Sequence, residues 1–424
     1  MPQAQLLKQW TVFSVSMLQF FATIITISAL FGYANQKWLK LPNTIGVMLI
    51  SVVIGICLKV VEGVEPRYIE PFRNFLTGFD FSSFVLDFIL CFLLFAASLH
   101  VNLNHLRGTR ATVLSYATLG VIISTLLIGF ATWMVLTAFG FDIIPVHCFL
   151  FGALISPTDP IAVIGILSKY KVPQKLKTEI IGESLFNDGV GVIAFTLVLI
   201  FMSDGKEAFT VGKVLEVFSV EILGGVGIGL LLGYVAYWLM KTIDHYQTEI
   251  MITLAVVTGG YTLAASVHAS GPLAMVVAGL LIGNMVRENA MSDITADYVD
   301  KFWELIDEIC NTILFVLMGL EIFLVPYDRT YIFVGMIMIL VVLAARYISL
   351  LPAFFVFNRR EPRKGLNLAI LTWGGLRGGI SIALALSLTR TIREDNLFIV
   401  CTYCIVLFSV LVQGLTIQKL LNRY

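Results

Sequence analysis

The sequence predicts an all-α polytopic membrane protein, and three observations support this. Of the 424 residues, 58% are hydrophobic and 13% are charged, against about 45–50% and about 25% in soluble globular domains. Apolar runs long enough for a helix to cross a bilayer recur along the chain. Prolines or glycines interrupt two of these runs. This composition excludes a soluble enzyme and a disordered protein. The 28 basic and 28 acidic residues cancel, so no nucleic-acid partner is expected.

About thirteen membrane-spanning helices are predicted from the apolar runs. The first run, Trp10–Gln36, carries no charge and is too long for the apolar part of a signal peptide. The polar and acidic stretch Arg287–Glu304 is expected to be a loop or a surface helix. The predicted spans, in order, are Trp10–Gln36, Leu41–Val61, Phe81–Leu99, one within Ala111–Phe141, Ile143–Leu167, Ile180–Met202, Val214–Met240, Ile250–Ala269, a short one from Gly271 to Val286, Leu305–Val325, Tyr331–Phe357, Leu366–Leu388 and Leu397–Leu420.

Lysine and arginine are distributed unevenly between the two sides of the membrane. The side that holds the C-terminus carries seventeen of them outside the spans, and the other side carries eight. Because cytoplasmic loops are enriched in these residues, the C-terminus is predicted in the cytoplasm and the N-terminus outside. The expected location is the cytoplasmic (inner) membrane, surrounded by lipid and without a soluble domain. The six cysteines lie in or beside apolar runs and indicate no disulfide framework. No cofactor is expected.

The fifth predicted span contains the sequence Ser156-Pro157-Thr158-Asp159-Pro160 at its middle. Two prolines remove two backbone donors, so a regular helix cannot continue there. The carbonyl groups that lose their partners must then lie within protein or line a wet cavity. The simpler alternative is a proline kink, but an ionisable residue at such a break in a membrane helix is a functional candidate by default.

The sixth predicted span carries four polar side chains within one and a half helical turns. Ser184 and Asp188 are four residues apart and share one face, and Glu183 and Asn187 share the adjacent face. Carboxylate and neutral oxygen donors suit a hard monovalent cation, because such cations prefer oxygen ligands. For Glu183 the alternative is a structural ion pair with a buried arginine.

The twelfth predicted span contains Trp373-Gly374-Gly375-Leu376-Arg377-Gly378-Gly379. Four glycines around one arginine allow the helix to unwind and other helices to approach closely. Because arginine stays charged in proteins, a buried Arg377 needs a carboxylate partner, and Glu183 is the candidate. Arg346, in the eleventh span, is expected to form a structural pair with Glu321 or Asp307, or else to cap a helix break.

The two interrupted spans occupy corresponding positions if the chain contains an inverted repeat. Residues 1–203 would form the first six-helix repeat, residues 204–248 a linking seventh span, and residues 249–424 the second repeat. Each interrupted span is then the fifth of its repeat. Paired broken helices of this kind are typical of transporters that bind their substrate near the middle of the membrane.

Three motifs together resemble the signatures of a known family. The sequences SPTDP, GESLFNDGVGV and WGGLRGGISIALAL are similar, in order and spacing, to those of the monovalent cation/proton antiporter-1 family, the NhaP-type and NHE-type sodium/proton exchangers. The resemblance covers about Phe149–Leu388 by motif. It implies a secondary transporter rather than an enzyme, thirteen helices with two unwound helices that cross, a homodimer and a role in pH homeostasis.

The resemblance also assigns roles to individual residues. Asp188 corresponds to the carboxylate that binds the ion and the proton, and a sodium ion would also contact Asp159, Ser184 and Thr158. Asn187 would tether the crossing, and Glu183 and Arg377 would form a buried ion pair. An Asn-Asp pair goes with electroneutral one-for-one exchange in the family. Some members add a carboxylate on the third span, and this chain has none within Leu94–Leu99.

The expected mechanism is competition between the two cargo ions. Asp188 would bind a proton or a dehydrated Na⁺ or Li⁺, never both. Potassium/proton exchange on the same scaffold stays open, as does a carrier of organic anions. A more distant alternative is an intramembrane aspartyl protease that uses Asp159 and Asp188. Such enzymes carry Tyr-Asp and Gly-x-Gly-Asp motifs, and neither aspartate stands in one.

Overall fold

A computed structural model describes residues 2–159, 167, 170, 172–208, 211–357, 363–389, 392 and 394–423. Within these ranges the regular structure is helical, and the single β-bridge joins two broken helices. The helices are α1 (Pro2–Ala34), α2 (Asn43–Val64), α3 (Pro66–Thr77), α4 (Phe81–Leu99), α5 (Leu103–Ala138), α6 (Pro145–Ile155), α7 (Gln174–Ala208), α8 (Val211–Met240), α9 (Tyr246–Ser266), α10 (Gly271–Ala290), α11 (Asp293–Glu321), α12 (Arg329–Phe357), α13 (Lys364–Trp373), α14 (Gly379–Ser387) and α15 (Asp395–Leu421).

Ten of the described helices are long and apolar enough to cross a membrane, which confirms a multi-pass helical membrane protein. The third predicted span, Phe81–Leu99, has the bounds of α4. The fifth predicted span begins as the short helix α6, and its later residues 160–166 lie outside the described ranges. The twelfth is divided into α13 and α14. The total of thirteen spans therefore stays a prediction.

Two polar stretches are more helical than the sequence suggested. Pro66–Thr77 forms the amphipathic helix α3, for which no helix was predicted. The predicted loop or surface helix at 287–304 is largely the beginning of α11, which continues without a break into the tenth predicted span. Two ion pairs lie at the beginning of this helix: Lys301 contacts Asp297 within it at 2.6 Å, and Asp300 contacts Arg287 of α10 at 2.7 Å.

The described chain divides into two compact units. One comprises Met1–Phe81 and Ile309–Val325, and its core includes Val47, Val316 and Leu320. The other comprises Ser82–Glu308 and Pro326–Tyr424 and contains every residue of the ion site predicted above. All six cysteines are free, as the sequence predicted. The repeat boundaries at 203 and 249 stay a prediction.

Each helix break has a local cause in the sequence. A proline ends the first helix, and glycines interrupt the second. Pro145 occupies the first turn of α6, where its missing N–H costs nothing. The same helix ends at Ile155 because Pro157 cannot donate to a carbonyl in the preceding turn. Between α13 and α14, glycines at 374, 375 and 378 give the backbone no preference for continuing as a helix.

Candidate ion-binding site

The two broken helices meet at their breaks. The backbone N–H of Asp159 donates to the carbonyl of Leu376 over 2.8 Å, which makes a single antiparallel bridge between the two unwound segments. Both segments are buried, so their polar backbone groups need partners within the protein. The bridge satisfies two of these groups and fixes the separation of the two breaks.

Opposite charges lie at the broken helix ends. Nη1 of Arg377 donates to the carbonyl of Pro157 over 2.7 Å and also to the carbonyl of Ser156, so a positive charge lies just beyond the carboxyl end of α6. The carboxylate of Asp159 lies against Gly378, the residue that precedes α14. Helix ends carry partial charges, negative at the carboxyl end and positive at the amino end. Both side chains therefore complement the helix end that they contact.

A wide turn in α15 holds both ends of the second break. The segment Phe408–Gln413 is π-helical, a conformation that is frequent at functional sites. Ser409 Oγ accepts from the backbone N–H of Arg377 over 2.8 Å and donates to Gln413 Oε1 over 2.9 Å. Gln413 Nε2 donates to the carbonyl of Trp373 over 3.1 Å. The buried side chains of Ser409 and Gln413 thus bond to backbone groups of Arg377 and Trp373 that lack helical partners at the break.

Helix α7 supplies the polar side chains that meet the first break. Asn187 Nδ2 donates to Thr158 Oγ1 over 2.7 Å, and Asn187 Oδ1 accepts from the Thr158 backbone N–H over 3.3 Å. The hydroxyls of Ser184 and Thr158 are 3.1 Å apart. The structure therefore brings Thr158, Ser184 and Asn187 together, with Asn187 bonded to both the backbone and the side chain of the unwound residue.

Asp188 is the next residue along α7 and is only 7% exposed. Its carboxylate interacts electrostatically with that of Asp159, which lies across the break. Two buried carboxylates that interact repel each other when both are charged. The pair therefore favours the binding of a cation or a proton.

The partner of Glu183 is Arg346, so the predicted pairing with Arg377 is wrong. Nη2 of Arg346 donates to Glu183 Oε2 over 2.9 Å, and Nη1 donates to Oε1, which makes a two-pronged, fully buried ion pair. Nη2 also reaches the carbonyl of Leu371 in α13, over 3.2 Å. The expected pairing of Arg346 with Glu321 or Asp307 is also wrong, because both Nη atoms of Arg346 donate to Glu183. A planar guanidinium that faces a carboxylate can bond to both of its oxygens, and Arg346 does so with Glu183.

Arg377 instead bonds to backbone carbonyls. Its side chain is 2% exposed, and its Nε and Nη2 atoms have no hydrogen-bond partner among the described residues. Glu183 still lies close enough to act on it electrostatically. Two buried arginines therefore depend on one glutamate, with the direct bond formed by Arg346.

Sequence reasoning missed the roles of Arg346, Ser409 and Gln413 at this site. For Arg346 a signal existed, because Arg346 and Arg377 are both arginines within predicted spans and Glu183 is only one carboxylate. Nothing in the residue pattern indicated which of the two would reach it. Ser409 and Gln413 carry no charge and lie in an apolar span, so only the position of α15 against the break shows what they do.

Gly378→Ala should abolish transport while the protein still folds. An added β-carbon would overlap the carboxylate of Asp159 and lie 2.7 Å from its Cβ, so the aspartate would have to leave the crossing. Ion-driven proton movement in everted membrane vesicles is the measurement. Gly259→Ala, in α9, is the matched control because its β-carbon would meet nothing within 4 Å. Transport by Gly378→Ala at the level of this control would contradict the role given to the close contact.

Two interrupted membrane helices that meet at their breaks beside a buried carboxylate are typical of a secondary transporter. Residues 25–423 match the family described as sodium/hydrogen exchanger, transmembrane. The chain belongs to this family, as the resemblance of its motifs implied, and it is a transporter rather than an enzyme. The interpretation as an aspartyl protease is therefore wrong.

Relatives that are named as Na⁺/H⁺ antiporters match nearly the whole chain. The chain is 44% identical to the Na⁺/H⁺ antiporter NhaP of Pseudomonas aeruginosa, over 96% of this chain and 97% of the relative. It is 33% identical to the Na⁺/H⁺ antiporter NhaH of Halobacillus dabanensis, over 92% and 94%. The fold is similar to that of the sodium proton antiporter MjNhaP1 from Methanocaldococcus jannaschii, with a TM-score of 0.73, 18% identity, and coverage of 97% of this chain and 99% of that one.

Proposed function

We propose that this chain exchanges Na⁺ for H⁺ across the cytoplasmic membrane by alternating access, with the two ions competing for Asp188. The observation that carries the proposal is the buried Asp188 beside the point where Thr158, Ser184 and Asn187 join α7 to the broken helix. The names of the two bacterial relatives, both Na⁺/H⁺ antiporters, support the choice of cargo.

The donor set suits a small, hard cation. Asp188 and Asp159 offer carboxylate oxygens, and Ser184 and Thr158 offer hydroxyl oxygens that are already within 3.1 Å of each other. Hard cations prefer such ligands over nitrogen or sulfur. Asn187 positions Thr158 rather than binding the ion, because both of its polar atoms are already bonded to Thr158. The transported Na⁺ or Li⁺ is cargo, and we propose that no cofactor takes part.

Counting charges supports electroneutral exchange. The site and its supports contain two arginines, Arg346 and Arg377, and three carboxylates, Glu183, Asp159 and Asp188. With all five ionised the net charge is −1, and one bound monovalent cation or one proton brings it to zero. Either cargo therefore gives the same neutral loaded state, and one Na⁺ is exchanged for one H⁺.

The empty site is expected to resist movement between the two faces. A charged carboxylate near the middle of the bilayer costs about 3 kcal/mol, which corresponds to about a 150-fold slower crossing. Loading by either ion removes the net charge and with it this barrier. Coupled exchange then needs one site that opens alternately to the two sides.

A vesicle assay with three cations tests the proposal. Adding Na⁺ or Li⁺ to everted vesicles with an acid interior should release protons, and K⁺ should have little effect. For one-for-one exchange the final ion gradient should not depend on membrane potential. If one extra charge moved per cycle, 100 mV would add about 2.3 kcal/mol, or about fiftyfold in the final gradient. A response to K⁺ alone would favour potassium/proton exchange and overturn the choice of sodium.

We also propose how the chain is arranged in the membrane. The chain would form a homodimer, as the resemblance of its motifs implies. The N-terminus would lie outside and the C-terminus in the cytoplasm, because the side of the C-terminus carries the larger number of lysines and arginines.

A further inference from the structure

A groove beside the second helix break has no role in the ion site. It lies between α12, α13 and α15, and its volume is about 520 Å³, within the range of small-molecule sites. Leu368, Ala369 and Leu420 give it apolar walls, and Trp373 lines it as well. Among the described residues that line it, Lys419 is the single charged one, and it is exposed.

The basic residues around the groove gather at one end. Lys419 lies in the last turn of α15, and Lys364 begins α13 beside the groove residue Gly365. Arg363 donates to the backbone carbonyl of Arg423, so these two residues lie at the same end. Helices α12 and α13 contain no acidic residue, and the acid of α15, Asp395, lies at its opposite end.

The dimensions match one half of a bilayer. Trp373 is nine residues into α13 from Lys364, which at 1.5 Å per residue is about 13 Å. Half of the hydrocarbon thickness of a bilayer is about 15 Å. A ligand with its anionic group at Lys419 and its apolar part reaching Trp373 would span from the headgroup level to near the middle of the membrane.

We propose that this groove binds one anionic phospholipid of the surrounding membrane, with an acyl chain along Leu368 and Trp373 and the phosphate at Lys419. Apolar walls alone would suit any lipid, and the basic end selects the anionic ones. The proposal concerns binding and does not depend on which ion is transported.

A bound acyl chain would contact the helix turn that precedes the crossing. The indole N–H of Trp373 donates to Thr416 Oγ1 over 2.9 Å. The backbone carbonyl of Trp373 accepts from Gln413 Nε2. The unwound residues begin immediately afterwards, at Gly374. The lipid would therefore stabilise the packing of α13 against α15 and raise the resistance of the folded chain to heat.

The test is the thermal unfolding midpoint of the full chain in detergent, titrated with phosphatidylglycerol or phosphatidylcholine. Phosphatidylglycerol should raise the midpoint at lower concentration than phosphatidylcholine, and glycerol phosphate, which lacks acyl chains, should not raise it. Lys419→Gln should weaken the apparent affinity for phosphatidylglycerol about fivefold, the effect of one lysine near an anionic surface. Ala369→Trp, which fills the groove, should abolish the shift.

Lys241→Gln is the matched control. Lys241 is also exposed, follows directly after the end of α8 and is predicted on the same side of the membrane, but it does not line the groove. Its replacement should leave the affinity for phosphatidylglycerol unchanged. Equal weakening by the two lysine variants would show only general attraction to negative charge and would overturn the proposal. So would an unchanged affinity in Lys419→Gln, or a shift produced by glycerol phosphate alone.

Discussion

Asp188→Asn should reduce sodium-driven proton movement in everted vesicles to the background level, while the protein is inserted and folds normally. Asparagine has nearly the same shape as aspartate but can neither take up a proton nor balance the charge of a cation. The site around it would be permanently neutral, and neither cargo would be required for movement between the two faces. Coupling between sodium and protons is therefore lost even if the helices still move.

The same variant should lose the stabilisation that sodium gives to the folded protein. A ligand present at 100 times its dissociation constant stabilises the folded state by about 2.7 kcal/mol. We expect this effect in the unmodified chain and none in Asp188→Asn. Because the proton competes with sodium, the apparent sodium affinity should weaken by up to about tenfold for each unit that pH falls, in the range where the site takes up a proton.

A control separates the site from charge in general. Asp142→Asn removes one negative charge from an exposed loop position between α5 and α6 and should transport normally. Retained exchange in Asp188→Asn, at the rate of this control, would refute the competition mechanism. Lost exchange with sodium binding intact would leave Asp188 with a role in movement rather than in binding.

Replacing either partner of the Glu183–Arg346 pair should destabilise the protein strongly. Both side chains are buried, and removing one leaves the other as an uncompensated charge, at a cost of about 3–5 kcal/mol. Glu183→Gln and Arg346→Gln are the single changes, and the free energy of unfolding in mixed micelles is the measurement. The double variant should be less destabilised than the sum of the two single variants, because it leaves neither charge behind.

Two double-mutant cycles, one for Glu183 with Arg346 and one for Glu183 with Arg377, test which arginine is the partner of Glu183. We expect the coupling energy between Glu183 and Arg346 to exceed about 1 kcal/mol, because residues in direct contact show coupling energies of about 0.5–3 kcal/mol. The coupling between Glu183 and Arg377 should be smaller, because Nη1 of Arg377 bonds to the carbonyls of Ser156 and Pro157. The opposite order of the two energies would restore the pairing first predicted from the sequence.

Two charged side chains offset the partial charges of the helix ends where the two interrupted helices meet. Arg377 lies at the carboxyl end of α6, and Asp159 lies at the amino end of α14, so each side chain offsets a partial charge that the break creates. Asp159 also acts electrostatically on Asp188. It therefore belongs to the structure of the crossing and to the ion site at the same time, which explains why Gly378→Ala should affect transport.

The local character of this protein could be predicted from the sequence alone. The apolar runs indicated the membrane helices, because burial in lipid demands about 20 apolar residues for each span. Pro157 and the glycines from 374 to 378 indicated the two breaks, since their effects on the backbone act within one helical turn. Both breaks appear in the structure, at the end of α6 and between α13 and α14.

Partner choice between distant segments depended on the tertiary structure. Glu183 is followed by Arg346 and Arg377 at separations of more than 160 residues, and either arginine could satisfy it by charge alone. The packing of α12 beside the break lets Arg346 bond to both carboxylate oxygens of Glu183. Arg377 bonds instead to the backbone carbonyls at the end of α6. Helix formation depends on neighbours in sequence, whereas an ion pair depends on distances that only the packed helices define.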